Sequence, residues 1–284
     1  MSERRLTGLV VVITGAGRGI GAATAAALAR NGCQVVVADL DGDLAVATAD
    51  RIGAGARGVP VDVTDHAAVT ALLDDIEHDL GPIDVLINNA GIMPVVAIEE
   101  ESDGSIARQL AINLHAVIHG TREAVRRMKP RGRGHIVNVA SLAGVVSAAG
   151  IATYSATKHG VVGYSEAARL ELRGTGVEVS CVMPGIVRTE LTAGMADARG
   201  LRSIGPEEVA AAIVDAIRQP RFEVYVPKQL RGAARMQHLM PRAAADALSR
   251  WTGASHVITD SIGNPDRADY ETRAAREIAK PDGA

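Results

Sequence analysis

Aromatic residues are scarce: one Trp, one Phe and four Tyr make up 2% of 284 residues. Stacking platforms for single-stranded nucleic acid need several aromatic faces in succession, so that function is excluded, and the core has to be built from Ala, Val, Leu and Ile. Charge of one sign is missing as well. The chain carries 30 Lys and Arg against 33 Asp and Glu, a formal net charge of −3 with a pI of about 6.2, which gives no general electrostatic grip on nucleic acid. Cysteine is nearly absent. Cys33 and Cys181 sit in apolar runs without partner spacing and read as buried free thiols in a reducing compartment. No hydrophobic run is long. Behind the basic start at Arg4 and Arg5, only Leu9 to Ile13 is continuously apolar before Thr14 and Gly15, too short for a signal-peptide core or a membrane span. A cytoplasmic protein without membrane association is expected.

What is present is alternation. Leu9 to Thr14 is an apolar, β-branched run suited to a strand buried on both faces of a parallel sheet. It runs directly into Gly15-Ala16-Gly17-Arg18-Gly19-Ile20-Gly21 and an alanine-rich helix that stops near Asn31-Gly32. Strand, glycine turn and helix in that order let bare backbone approach a pyrophosphate at a helix N-terminus. A second strand, Val35 to Ala38, ends at Asp39, about twenty residues past the glycines, where a carboxylate can accept from ribose hydroxyls and repel a 2′-phosphate. Asp39 therefore favours NAD over NADP, and Arg18 is the dissenting cation.

The pattern continues with a helix over Asp41 to Ile52, a strand over Gly58 to Val63, and a helix over Asp65 to Leu80 stopped by Gly81-Pro82. A strand over Ile83 to Ile87 is closed by Asn88-Asn89-Ala90-Gly91, and a long helix runs from about Ser105 to Met128. His115 and His119 in it have the i, i+4 spacing of zinc ligands but no glutamate base or third ligand, so no metal site is expected. Strands over His135 to Ala140, Val177 to Met183 and Phe222 to Val226 alternate with helices over Ala152 to Arg173 and Pro206 to Gln219. Leu191 to Ile204 reads as a loop or lid. Strict alternation of this kind predicts one α/β domain over residues 1–227, a Rossmann-like doubly wound parallel sheet of about seven strands with helices on both faces. Residues 228–284 form a helical, basic C-terminal extension and a polar tail.

The densest chemistry lies between Ser141 and Lys158. Tyr154 and Lys158 stand four residues apart, on one face of a helix. A free phenol titrates near 10, and a neighbouring ammonium would lower that value by stabilising phenolate. Such a phenol can exchange a proton with an alcohol or ketone. Alone, this spacing also occurs on solvated helices.

Taken together the motifs identify a family. Thr14, Gly15, Gly19 and Gly21, Asn88 to Gly91, the set Asn113, Ser141, Tyr154 and Lys158, and Pro184-Gly185 followed by Thr189 resemble, in order and spacing, the motifs of the short-chain dehydrogenases/reductases. The resemblance covers about Leu6 to Val226. It implies Tyr154 as general acid/base, Ser141 hydrogen-bonded to the reacting oxygen, Lys158 lowering the phenol pKa and holding the nicotinamide ribose, and Asn113 placing a water that relays protons. Asp39 would select NAD, Asp62 and Val63 would meet the adenine, and Asn89, Ala90 and Gly91 would line the cofactor. Ile20, Pro184, Gly185 and Val187 belong to the same expected cofactor surface, and Thr189 would hold the carboxamide. The implied reaction is hydride transfer between NAD and a secondary alcohol or ketone. An NADPH-linked carbonyl or 3-oxoacyl reductase is the alternative, and a dinucleotide-binding redox sensor without catalysis is the alternative from another class. A homo-oligomer, dimer or tetramer, is expected from the resemblance alone.

Ile92, Met93, Pro94, Leu142, Val145, Leu191 and Met195 are expected near the reacting carbon and suggest an apolar substrate. Beyond Val226, Lys228 to Arg250 is a basic amphipathic stretch broken at Pro241, suited to packing over the active-site mouth rather than to a membrane surface. From Asn264 the tail is polar, and is expected to be disordered or to become helical only on an oligomer.

Overall fold

The computed structural model describes residues 3–195, 202–241, 243 and 258–278. Seven parallel strands lie in the order β3-β2-β1-β4-β5-β6-β7. They are β1 (Val10–Thr14), β2 (Gln34–Asp39), β3 (Arg57–Pro60), β4 (Val85–Asn88), β5 (Gly134–Val139), β6 (Val177–Pro184) and β7 (Glu223–Val226). The crossover helices are α1 (Gly19–Arg30), α2 (Gly42–Ile52), α3 (His66–Leu80), α4 (Asp103–Leu110) continuing into α5 (Ala116–Met128), α6 (Ala152–Glu171) and α7 (Pro206–Arg218). Among the described residues two helices follow the sheet, α8 (Leu230–Leu239) and α9 (Ala268–Ile278). The expected doubly wound fold is present.

Strand side chains alternate between faces, which builds two cores. Val11 and Ile13 of β1 pack with Leu28 of α1 and with Ile213 and Ile217 of α7. Val10 and Val12 face the other way, onto Leu73 and Ile76 of α3 and Met128 of α5. Full burial of each such side chain contributes about 1.5–3 kcal/mol. Chain order reverses between β1 and β4, so the loops at the carboxyl ends of these strands diverge and leave a crevice there.

Several boundaries differ from expectation. Helix α1 starts at Gly19, so the last glycines of the turn are already helical. Asp41 caps α2 by accepting from the N–H of Leu44 and stands just outside it, while Asp65, which with Thr64 was one of two expected caps, caps α3 by accepting from the N–H of Ala68. The helix read as continuous to Met128 carries a π-helical turn, Ala111–His115, a feature that periodicity does not announce. His119 is not paired with His115 but stacked on His66 of α3, ring centroids 4.1 Å apart. Among the described residues no group of three or more His, Cys, Asp or Glu could hold a metal ion, and no helix is long and apolar enough to cross a membrane.

The described parts of the C-terminal region pack against the rest of the chain. In α8, Arg231 and Arg235 pair with Glu223 of β7 while Leu230 and Ala234 pack on Met183 and Tyr225. Its cations are thus spent within the fold. Within the polar tail, Pro265–Arg267 forms a 3₁₀ turn and α9 follows it, docked by a buried Arg267. Arg242, Asp246, Arg250 and Trp251 of the basic stretch, and residues 196–201 of the expected lid, lie outside the described residues.

Candidate active site

Most of the expected motifs sit at the carboxyl end of a strand or the start of the next helix. Thr14 ends β1, Asn89 follows β4, Ser141 follows β5, and Pro184 to Thr189 lead out of β6. Asn89, Ser141 and Pro184 to Thr189 border one cavity of about 1250 Å³. A drug-sized ligand occupies roughly 300–1,000 Å³, so a dinucleotide and a second molecule can share this space.

At the cofactor end, close packing dictates glycine. A Cβ on Gly15 would lie 2.7 Å from Ala90 Cα, and one on Gly21 would lie 2.4 Å from Gly15 O; Gly15 and Gly19 also have φ of +61° and +55°, values that glycine adopts without strain. The turn is tied to β4. Asn89 Nδ2 donates to the carbonyls of Thr14 and Gly15, and Thr14 Oγ1 accepts from the N–H groups of Asn89 and Ala90. Asp39 Oδ2 accepts from Gly17 N at 2.8 Å, and Oδ1 accepts from Asp41 N at 3.2 Å. Burial works to raise the pKa of Asp62, but hydrogen bonds from Thr64 and the charge of Arg108 hold it below the usual carboxylate value.

Gly15, Arg18, Gly19, Ile20, Asp39 and Asp62 all line the cavity, as do Val63, Asn89, Ala90 and Gly91 and, beyond β6, Pro184, Gly185, Val187 and Thr189. Gly21 does not. It lies one turn into α1, where its role is to let the helix close on Gly15. Arg18 is also less free than the sequence suggests, because Glu190 at 3.0 Å and Asp41 at 3.7 Å flank its guanidinium.

At the chemical end, Tyr154 and Lys158 share one face of α6, both buried. Lys158 Nζ donates to Val139 O at 3.0 Å and stands 5.6 Å from the centroid of the Tyr154 ring. The Ser141 hydroxyl accepts from Ala143 N, which fixes the 3₁₀ turn Leu142–Gly144 beside the phenol. Asn113, carried on the π-helical turn, is wholly buried behind the cavity wall. Its Oδ1 accepts from Ile92 N and its Nδ2 donates to Ile92 O, both at 2.9 Å. The amide therefore clamps the loop after β4.

Electrostatics correct another expectation. Burial pushes the Tyr154 phenol up to about 12, against the lowering effect of a hydrogen bond with Ser141. Burial also brings Lys158 down to about 8. The ammonium is held by a backbone carbonyl rather than by the phenol, so desolvation outweighs the stabilisation that the four-residue spacing suggested.

Several positioning groups have no motif. Asn138 on β5 bonds Asn88 at 2.8 Å and Ser165 of α6 at 2.9 Å, which registers the catalytic helix against the sheet. Glu101 accepts from Thr153, next to Tyr154, and from Gln109 and Ser105. A carboxylate after β4 with hydroxyls and an amide at matching helix positions was the available signal.

Residues 9–200 match the short chain dehydrogenase family. The chain belongs to this family. Among short chain dehydrogenases and their relatives it is 36% identical to Momilactone A synthase of Oryza sativa subsp. japonica, over 74% of this chain and 83% of that protein. It is 35% identical to D-beta-hydroxybutyrate dehydrogenase of Cupriavidus necator, over 81% of this chain and 90% of that protein. A short chain dehydrogenase/reductase from Burkholderia phymatum, solved in complex with NAD, superposes with a TM-score of 0.76 at 30% identity, over 83% of this chain and 94% of that one.

The substrate end of this short chain dehydrogenase is apolar. Ile92, Met93, Leu142, Leu191 and Met195 line the cavity as expected, whereas Pro94 and Val145 do not. Val145 packs in a neighbouring cluster with Val161 and Met183. The far wall comes from Met236 and Met240, in the stretch expected over the active-site mouth, and from Ile258, Tyr270 and Ala274 of the C-terminal segment, which had no expected role.

Proposed function

We propose that the chain is an NAD-dependent oxidoreductase that exchanges hydride with a neutral, apolar secondary alcohol or its ketone, with Tyr154 as the acid/base. The observation that carries this reading is the sharing of one cavity by the glycine turn, Asp39 and the buried Tyr154. The residues fit a dinucleotide: the turn leaves backbone bare where a pyrophosphate would lie at the start of α1, and Asp39 stands where ribose hydroxyls would donate. Asp62 and Val63 would border the adenine. Asn89 to Gly91, Lys158, Pro184, Gly185, Val187 and Thr189 would hold the nicotinamide end. Bound there, the nicotinamide supplies the hydride chemistry.

The chain's own part is orientation and proton handling. Tyr154 gives its proton to the oxygen of a ketone, or takes one from an alcohol, and the Ser141 hydroxyl bonds the same oxygen. Lys158 adds positive charge beside that oxygen. Asn113 acts by position, holding Ile92 against the site. Momilactone A synthase and D-beta-hydroxybutyrate dehydrogenase carry names that point to a lactone and to a hydroxy acid; the apolar lining favours the neutral kind of molecule. Arg18, the one feature in favour of NADP, is engaged by Glu190 and Asp41. The test is a panel of neutral alicyclic secondary alcohols and hydroxy acids, each with NAD and with NADP, followed by absorbance of the reduced cofactor. Turnover of the neutral alcohols with NAD is expected, and activity confined to hydroxy acids or to NADP would overturn the assignment.

The direction of the pH dependence follows from the two shifts. Oxidation needs the phenolate, whose fraction rises about tenfold per pH unit below the phenol's value of about 12, together with ammonium at Lys158, whose loss above about 8 cancels that rise. Reduction needs the neutral phenol, already dominant, together with ammonium at Lys158, which is lost above about 8. The kcat/KM for alcohol oxidation should therefore climb from pH 6 to 8 and then flatten, while that for ketone reduction should be level and fall above pH 8. Oxidation that slows as pH rises through this range is incompatible with Tyr154 as base.

A further inference from the structure

Tyr270 is the one aromatic residue of the polar tail that reaches the cavity. It lies on α9, lines the apolar half, and is close enough to Tyr154 for each phenol to oppose ionisation of the other. Its position is enforced from two sides. The Tyr270 oxygen accepts from Met93 N at 2.7 Å, and the guanidinium carbon of buried Arg267 sits 5.1 Å from its ring centroid. Burial, chiefly, pushes the pKa of this phenol upward, despite the bond from Met93. At any physiological pH it is therefore protonated.

That proton is uncommitted. A tyrosine hydroxyl can accept and donate, and here the bond from Met93 uses an acceptor site only; among the described residues no group accepts the Tyr270 proton. Tyr270 is half-buried and lines the cavity, so the proton is available to a molecule bound there. Charge around it is balanced. Arg267 pairs with Glu271 and spends its remaining N–H groups on the carbonyls of Leu191, Ala193 and Met93, and Arg273 pairs with Glu190. Neither Arg267 nor Arg273 is thus free of a carboxylate partner.

We propose that Tyr270 is a substrate-binding residue that donates a hydrogen bond to a second, uncharged oxygen of the substrate, away from the carbon that exchanges hydride. The preferred substrate is then an apolar alcohol or ketone that carries a further neutral acceptor such as a carbonyl, lactone or ether oxygen. This rests on the oxidoreductase reading above and deepens it. A site built to donate to such an oxygen discriminates against the analogue that lacks it, because the donor is then left unpaired.

The test compares 1-decalone with decalin-1,5-dione, which share one carbon skeleton and differ in the second oxygen, by calorimetric titration of the full chain and of Y270F. Wild type should bind the dione about tenfold more tightly, the span of one well-made hydrogen bond. Y270F should bring that ratio to about one and leave the monoketone within about twofold. The variant also strips Met93 N–H of its acceptor, but that loss acts on both ketones alike and cancels in the ratio. A wild-type ratio near one, a ratio preserved in Y270F, or binding of neither ketone overturns the proposal; the first and last of these need no variant to fold. Turnover of 1-decalone with reduced NAD is read separately, and its absence beside an intact binding ratio would sink the oxidoreductase reading alone.

Discussion

Tyr154→Phe is expected to lower kcat/KM by about a thousandfold or more while the dissociation constant for NAD stays within about threefold. General acid/base catalysis is worth about 10²–10⁴ in rate, and removal of the phenol oxygen also takes away the partner of the Ser141 hydroxyl. The ring itself is kept. It packs against Met93, Val95 and Ile151, contacts that Phe repeats, and the ties of α6 to the rest of the fold run through other residues: Thr153 to Glu101 and Ser165 to Asn138. The fold and the cofactor end should therefore survive. Steady-state kinetics in both directions, with calorimetric titration of NAD, separates the two effects. A variant that retains a tenth of wild-type turnover would show that another group moves the proton, and Tyr270, the second phenol in the cavity, would be the first to examine.

Sequence and structure agree best where a local rule and a global one coincide. Alternation of apolar strands with helices fixed the sheet, because a β-branched run such as Val10 to Ile13 has no other way to bury both of its faces. The glycine turn was equally legible, since the close approach of Gly15 to Ala90 leaves no room for a Cβ. What escaped was non-local. Arg267 meets Met93 across 174 residues and Leu191 across 76, and a single Arg in a polar tail carries no period that could reveal such contacts. Tyr270 did leave a faint signal: in a chain with four tyrosines, one of them in a charged tail was worth noticing. The acidity of Tyr154 was misjudged for a related reason. Spacing along a helix reports which charge is near, while burial, set by the whole fold, decides the sign of the shift. The π-helical turn at Asn113 was missed because no period or breaker in the local sequence announces it, and the Asn113 bonds to Ile92 that accompany it are non-local.

Arg267→Met is expected to undock the C-terminal segment without unfolding the sheet. Arg267 is 1% exposed and bonds three backbone carbonyls, on Met93 after β4 and on Leu191 and Ala193 after β6, besides Glu271. One side chain thus joins α9 to both loops that border the reacting carbon. Methionine fills the volume of the stem but supplies no donor. Each buried acceptor left unpaired costs about 1–3 kcal/mol, so holding the segment down with its carbonyls dry costs more than letting water in; about 3 kcal/mol corresponds to a shift of about two powers of ten in the docking equilibrium. Hydrogen exchange should show amides of residues 258–278 losing protection by about a hundredfold, with β1, β4 and β5 unchanged. The KM for an apolar alcohol should rise about tenfold, because the wall carrying Tyr270 and Ala274 has left, while NAD affinity stays close to wild type. Arg267→Lys keeps the charge but not the planar fork that reaches several carbonyls at once, so it should fall between the two. If the Met variant protects residues 258–278 as well as wild type does, Arg267 is not what holds the segment down, and the burden shifts to the hydrogen bond between Tyr270 and Met93 N.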